Sequence, residues 1–465
     1  KELAKFSELK SFTMENFQFK ELTVNEAAKR FLELDKVDSV KLKNIQATFS
    51  GECNLRKFIL MKDSSAEVDS LSFSNCGSSE NHILDLSILS IEGNSALSVR
   101  NLAVSNVYSS SYSATVIDFK GVSSLDEETT IELNDVTIEN VENKRDEVFS
   151  LDTAYELTMS DVSVKNSKGG LKGVFYMNNI PKVTVERVTC NTCESTSGNG
   201  GSIYYLPCTT SPPTLSIANS VFTGSKAGEK GGALCIDSES SSTNITLSIQ
   251  STEFTDVISK SGGAIYITEI VSFTDAKISD ITISNAYSQM GAAIEDHHNS
   301  GTLELQNVVV TGSQGFYCDI YANYKSEGTK MIIRDSSFLD GSCDHVSIHF
   351  NSWVENLVIE MQSCVIRNGQ NTAMELQKID FRADNITFRN NTHTMILAQK
   401  ESTVNITNSY FADFESSQFE VSTNTVKQPG ISVVGSNLNL WGCTLENQVG
   451  AFGGFIDSEY SDVTI

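Results

Sequence analysis

The sequence has no run of 18 apolar residues, so no stretch of it is written as a membrane-spanning helix. It opens on Lys1 rather than a methionine, and no secretory leader is visible. Cations are in short supply. Against 59 Asp and Glu stand 34 Lys and Arg, a formal net charge of −25. That balance excludes nucleic acid, whose phosphates need basic partners, and disfavours an anionic membrane surface. Like charge also keeps a strand-rich body from associating edge to edge. Histidine is scarce, at 6 residues. Cys190-Asn191-Thr192-Cys193 has a CxxC spacing, but no second CxxC completes a zinc site and no thioredoxin-like βαβ pattern surrounds it. No Gly-Lys-Ser/Thr follows any glycine pair, which removes a phosphate-cradling loop.

What the sequence has is a repeat. Residues 276–286 read AKISDITISNA, with apolar side chains at the first, third, sixth and eighth places. This is the alternation of two short strands, each with one buried face, separated by a polar corner. Sixteen copies start at Phe12, Val40, Ala66, Leu97, Ile131, Leu157, Val183, Leu215, Leu247, Ala276, Leu303, Met331, Ile359, Phe381, Val404 and Leu438. The first and third places are apolar in all 16, and the fifth is Asn, Asp or Ser in 14, broken by Arg187 and Gly442. The tenth is Asn, Asp or Gly in 13. Such residues suit tight corners because their side chains can bond nearby backbone. Starts lie 22 to 34 residues apart, the period of a solenoid.

A third strand follows each unit at a variable distance. It is read at 83–86, 115–118, 148–151, 174–177 and 203–206. In the centre it is introduced by glycines, at Gly200-Gly201, Gly231-Gly232, Gly262-Gly263 and Gly291. Glycine there permits positive φ or close backbone approach. The fold expected is all-β: a right-handed parallel β-helix of about 16 rungs with three parallel sheets. Residues 1–11 are a lead-in, and 12–465 form one domain. Residues 25–34 suit either a helical turn or two, or the third strand of the first rung. Ile278 is expected to point inward between Ile249 and Leu305. Residues 462–465 look like the start of a further repeat, so the coil is expected to continue in a longer chain or to stack on another subunit as a filament. Sixteen rungs would give a body roughly 75 Å long.

The sequence Gly262-Gly263-Ala264-Ile265-Tyr266, with Phe388 and Asn391 as Phe-x-x-Asn, resembles the GGAI and FxxN repeats of the chlamydial polymorphic outer membrane proteins. Similar repeats occur in large surface proteins of protists, and the wider likeness is to pectin-lyase-like β-helices. The resemblance implies a surface-exposed adhesive or scaffolding passenger. No membrane β-barrel accompanies it in this segment.

Candidate site residues are few. Asn244, Asn385, Asn390 and Asn405 open N-glycosylation sequons. Asn244 lies in a loop and Asn405 faces outward, which favours a glycan, whereas Asn385 and Asn390 occupy corner positions where Asn has a structural role. Cys53 and Cys76 lie near corners of consecutive rungs, as do Cys318 and Cys343, within disulfide reach. Cys193 with Cys208 is a third candidate pair. Cys364 and Cys443 occupy the sixth place and read as buried small hydrophobes. Asp118, Asp152, Asp237 and Asp457, with Asn178, are read as one column after the third strand, either a solvated corner or a Ca²⁺ site. Asp296, His297, His298, His345 and His349 read as polar surface, with metal binding as the alternative. No Asn-Thr-Asp, Asp-Asp, Gly-His-Gly or Arg-Ile-Lys set of the polygalacturonase kind occurs, and no catalytic residue or resident cofactor is assigned. The expected function is a non-catalytic extracellular structural or adhesive rod, partnering itself, other surface proteins or glycans. The alternative is a polysaccharide-binding or polysaccharide-cleaving β-helix with an acidic, Ca-binding groove. The third sheet's outward face discriminates: converging Asp and Arg in a cleft for an enzyme, uniform Ser, Thr and Asn for a rod.

Overall fold

The computed structural model describes residues 2–77, 86–109, 114–122, 127–238, 243–355, 357–415, 418–421, 424–427, 429–449 and 455–465. Among them there is no helix. The chain is a right-handed parallel β-helix of about 15 turns, divided into two compact units, Lys1–Asp237 and Ser238–Ile465.

In the first unit the repeat starts form one register column: Phe12, Val40, Ala66, Leu97, Ile131, Leu157, Val183 and Leu215, each opposite the next. In the second unit the column is Leu247, Ala276, Leu303, Met331, Ile359, Phe381, Val404, Leu438 and Val463. Ile278 is fully buried and pairs with Ile249 on one side and Leu305 on the other. Burial of the inward face fixes this register, because a slip of one residue would turn every apolar side chain outward.

The corners explain the polar fifth place. All 16 of these residues have φ between 49° and 64°. Asn and Asp adopt this left-handed conformation more readily than other side chains. Arg187 adopts it too, held by a two-pronged bond to Asp161 in the preceding turn (Nε to Oδ1 2.8 Å, Nη2 to Oδ2 2.9 Å). The tenth place repeats the device everywhere except Phe49, beside which the pairing register shifts. Side-chain amides run along these corners as ladders. Asn106 Nδ2 donates to Asn75 Oδ1 at 3.0 Å, Asn140 to Asn106 at 3.1 Å and Asn166 to Asn140 at 3.3 Å.

The paired glycines do both jobs expected of them. Gly262 has φ 62°, whereas a Cβ on Gly263 would fall 2.0 Å from the Ala292 carbonyl oxygen. In the Phe-x-x-Asn motif, Phe388 and Asn391 are both fully buried, and Asn391 Oδ1 accepts from the Gly369 N–H at 3.0 Å.

The lead-in and the first third strands place as follows. Residues 2–11, read as a lead-in, already run as strand beside 30–39. Residues 25–34 are strand, the second of the two readings given for them. Of the strand read at 83–86, residues 83–85 lie outside the described residues; the strand Leu86–Glu92 is what pairs with Ala114–Lys120. In the polar insertion at 414–430, strands Gln418–Val421 and Asn424–Lys427 form an antiparallel hairpin.

Candidate functional site

Cysteines and sequons place as follows. Cys53 is bonded to Cys76, and Cys318 to Cys343, all four buried. The expected Cys193–Cys208 bridge is absent: both are free thiols. Cys193 points into the coil, where it meets Cys190 and Ser202 and burial pushes its thiol up. Cys208 gathers Thr210 Oγ1 at 3.0 Å. Cys364 is buried, but Cys443 is only partly so. Asn385 and Asn390 sit at left-handed corners, φ 55° and 52°, and Asn385 Nδ2 donates to Ser363 Oγ. Asn244 is exposed at the start of the strand Asn244–Gln250. Asn405 Oδ1 accepts from Asn439 Nδ2 at 2.8 Å, which leaves its own nitrogen for a glycan. Asn244 and Asn405 are expected to be occupied in material from the native source. Intact-glycopeptide mass spectrometry that finds both bare would count heavily against secretion.

The acidic column does not form as read. Asp118 stands opposite Ser90 and Ser150, whereas Asp152 stands opposite Lys120 and Asn178. Asp457 lies in the second unit opposite Ser432. Asn178 Nδ2 donates to Asp152 Oδ1 at 2.8 Å and Lys120 Nζ lies 3.3 Å from Asp118. Asp118 is thus answered by an ammonium group and Asp152 by an amide, and Asp237 Oδ2 accepts from the Tyr204 hydroxyl at 3.1 Å. Among the described residues no group of three or more His, Cys, Asp and Glu is placed to hold a metal.

What the first unit does carry on this face is a cleft of about 760 Å³. Two loops build its rim. In one, Asn143 Oδ1 accepts from the N–H groups of Arg145 (3.2 Å) and Asp146 (2.9 Å), and its Nδ2 donates to the Glu147 carbonyl (2.8 Å). Asn143 thereby fixes where Arg145 and Glu147 are presented. The second loop packs directly on the first. The Gly170 N–H donates to the Asp146 carbonyl at 2.8 Å, and a Cβ on Gly170 would fall 2.3 Å from the Arg145 carbonyl oxygen. Only glycine allows this approach, and it delivers Lys172 to the cleft. Lys172 Nζ lies 3.8 Å above the Tyr176 ring, which stacks on Tyr204 at 5.9 Å. Arg56, Lys57 and Lys120 line the cleft too, facing Asp118, Asp146 and Asp152, with Lys57 paired to Glu92 at 2.6 Å and Lys120 to Asp118. Glu147 is 8% exposed. Burial pushes its carboxyl up, Lys172 draws it down, and Asp146 and Asp118 push it up further.

This face is not uniform Ser, Thr and Asn: the cleft brings Asp118, Asp146, Glu147 and Asp152 together with Arg56 and Arg145, a mixed lining in which Asp and Arg converge. Its charged lining was legible only after the rungs were aligned, because Arg56, Lys57, Lys120, Arg145 and Lys172 come from four separate turns.

On the third sheet of the second unit, Tyr266, Glu295, Tyr321, His349 and Glu375 share one register column. His297 Nε2 meets Glu295 Oε1 at 2.7 Å and His349 Nδ1 meets Glu375 Oε2 at 3.1 Å. Tyr321 stacks on His349 with centroids 5.3 Å apart. Burial opposes a charge on His297, but Glu295 outweighs it and the imidazole pKa is raised. Asp296 and His298 face the interior, both fully buried. His298 Nδ1 meets Asp296 Oδ2 at 2.8 Å, and the Tyr324 hydroxyl donates to the same oxygen at 2.7 Å. His297 and His349 are thus partnered by outer-face glutamates and His298 belongs to an internal network, while His345 is only partly buried, its Nε2 3.7 Å from Glu375 Oε2.

No helix among the described residues is long and apolar enough to cross a membrane. No family model matches the chain, so the likeness to the chlamydial repeats gains no support beyond the coil itself, and no curated protein matches either. Among solved structures the chain is similar to a PL6 family alginate lyase, AlyGC, at 10% identity, with 99% of this chain and 97% of that one covered and a TM-score of 0.15. Likeness at that level carries no argument about activity.

Proposed function

We propose that this chain is a non-catalytic, extracellular adhesive β-helix that holds an acidic polysaccharide on the outward face of its third sheet. The observation that carries this reading is the cleft of the first unit. In a chain of net charge −25, Arg56, Lys57, Lys120, Arg145 and Lys172 gather at one cleft, where they outnumber Asp118, Asp146, Glu147 and Asp152, beside the stacked Tyr176 and Tyr204. Guanidinium and ammonium groups suit sugar carboxylates or sulfates, and aromatic faces suit the apolar faces of sugar rings. The overall negative charge repels polyanions elsewhere, which directs them to this cleft. Two disulfides fit an oxidising, extracellular setting.

Binding of a polyuronate and of an uncharged glucan, measured by calorimetry on the full chain, tests the reading. The polyuronate is expected to bind and the glucan not. Arg145→Ala and Lys172→Ala are each expected to weaken binding roughly tenfold, about 1.4 kcal/mol, and added salt to weaken it further. Equal affinity for both polymers, or unchanged affinity in both variants, would exclude the cleft. One observation favours cleavage as a second reading: Glu147 is a carboxyl whose pKa is pushed up by burial within the cleft, the setting of a general acid. New reducing ends in the same mixtures, lost in Glu147→Gln, would move the assignment to a polysaccharide-cleaving enzyme.

A further inference from the structure

In the second unit the corner between the second and third sheets changes construction at one place. At Gly262 and Gly291 it is turned by left-handed glycines. In the next turn one continuous strand, Gln314–Tyr324, takes the place of the glycine corner, and Ser342–Ser352 does the same one turn further on. The pairing of these two strands slips twice, between Gly315 and Tyr317 and again between Tyr317 and Ile320. Slips of this kind re-aim side chains, and here Phe316 is left 46% exposed. A Cβ on Gly315 would fall 1.7 Å from the Ser288 carbonyl oxygen, so only glycine allows the approach that sets Phe316 in place. Two residues on, Cys318 is bonded to Cys343, which fixes the two turns to each other.

A cleft of about 680 Å³ opens at this step. Tyr287, 48% exposed, lines it together with Phe316. The Phe316 ring stands edge-on to Tyr317 at 4.9 Å and packs on His345 at 5.1 Å, so it is held from behind. Gln289, Gln314 and Ser342 add two amides and a hydroxyl. Among the described residues Asp344 is the one charged group in the lining, exposed and without an ion-pair partner.

This lining sorts the partners it can take. A peptide strand needs a free backbone edge, and there is none here. The Tyr287 N–H donates to the Val257 carbonyl at 2.9 Å, that of Gln314 to Ala286 at 2.8 Å and that of Ser342 to Ser313 at 2.8 Å. A polyanion or an anionic surface meets a lone carboxylate on a chain of net charge −25 and is repelled. Exposed aromatic rings beside amides and a hydroxyl suit sugar rings, whose faces are apolar and whose rims are hydroxyls. The unpaired carboxylate suits an ammonium group, which aromatic faces also attract. We propose that this cleft binds a glycan carrying free amino groups, with sugar rings on Tyr287 and Phe316 and an ammonium group on Asp344. It is a second glycan site, of opposite charge preference to the cleft of the first unit and independent of it.

The probe is a glucosamine trimer with free amines, set against its N-acetylated counterpart by calorimetry on the full chain. The measurement is made at about pH 5.5, where the amines hold their protons, and in about 0.15 M salt, which screens the diffuse attraction of an acidic surface. The amine trimer is expected to bind at least roughly tenfold more tightly than the acetylated one. Asp344→Asn and Tyr287→Ala, both at exposed positions, are each expected to weaken the amine trimer roughly tenfold. Arg145→Ala, in the first unit, is expected to leave its affinity unchanged, so failure of one cleft is distinguishable from failure of the other. Absence of binding, or equal affinity for the two trimers, would overturn the site. So would binding of the amine trimer that survives in both second-unit variants, which would assign it to the net charge of the chain.

Discussion

Ile278→Asp is expected to cost the second unit about 4 kcal/mol or more, enough to leave it unfolded near body temperature. Ile278 is fully enclosed, with Ile249 and Leu305 directly above and below it in the column. A carboxylate there has no cation within the stack and displaces an apolar side chain whose burial contributes about 1.5–3 kcal/mol. The control is one strand further on. Thr282 faces outward and is exposed, so Thr282→Asp is expected to change stability by no more than about 0.5 kcal/mol. Urea unfolding of the two variants side by side measures the contrast. An Ile278→Asp protein that unfolds with the wild-type midpoint would mean the register is wrong by one residue.

The second large effect is expected from His298→Leu. In the wild type Asp296 is wholly buried. Burial opposes its charge, but His298, with help from the Tyr324 hydroxyl, holds the carboxyl below its ordinary value. Its contribution to stability is therefore present above the unfolded value of about 4 and lost as pH falls through the folded one. Leucine fills the space but leaves the carboxylate with the tyrosine alone. Breaking a buried pair in this way costs about 3–5 kcal/mol. The sign of the pH dependence then inverts. With its partner gone, burial raises the Asp296 carboxyl, so the variant loses stability as pH rises above about 4. Unfolding free energies at pH 7 and pH 4 are expected to show a large deficit at the first and a small one at the second. A deficit equal at both would assign the loss to packing rather than to the carboxylate.

The strands of the first two sheets were legible because each place in the repeat has its own chemical requirement. The first and third places must be apolar to face the core, and the fifth must tolerate a left-handed corner. Even Arg187, which breaks the residue pattern, keeps the conformation. The third strand carries no such marker. It follows a corner of variable length, and it was there that reading went astray: Asp118 was set in line with Asp152 although Asp118 is opposite Ser150. The cleft was illegible for the same reason. Its basic residues come from turns whose mutual alignment depends on those loops, and it is completed by contacts such as Gly170 against Arg145 that no spacing announces. The error over Cys193 has a different source. Proximity in sequence suggested Cys208 as its partner, but the left-handed corner at Thr192 breaks the alternation of Thr189–Ser195 and turns both Cys190 and Cys193 into the coil.

The disulfides have a mechanical meaning. Under tension at its ends a β-helix gives way turn by turn, since each turn is held chiefly by the backbone rows of its neighbours. Each detached turn frees 22 to 34 residues, roughly 75–120 Å of slack. A covalent tie between adjacent turns withholds most of one such step. Cys53–Cys76 removes 23 residues from the extensible length and Cys318–Cys343 another 25. Oxidised, the molecule has two stretches that cannot lengthen under load; reduced, it recovers both. Thiol chemistry thus sets how far the chain can stretch before it is fully drawn out, with no change to the fold at rest.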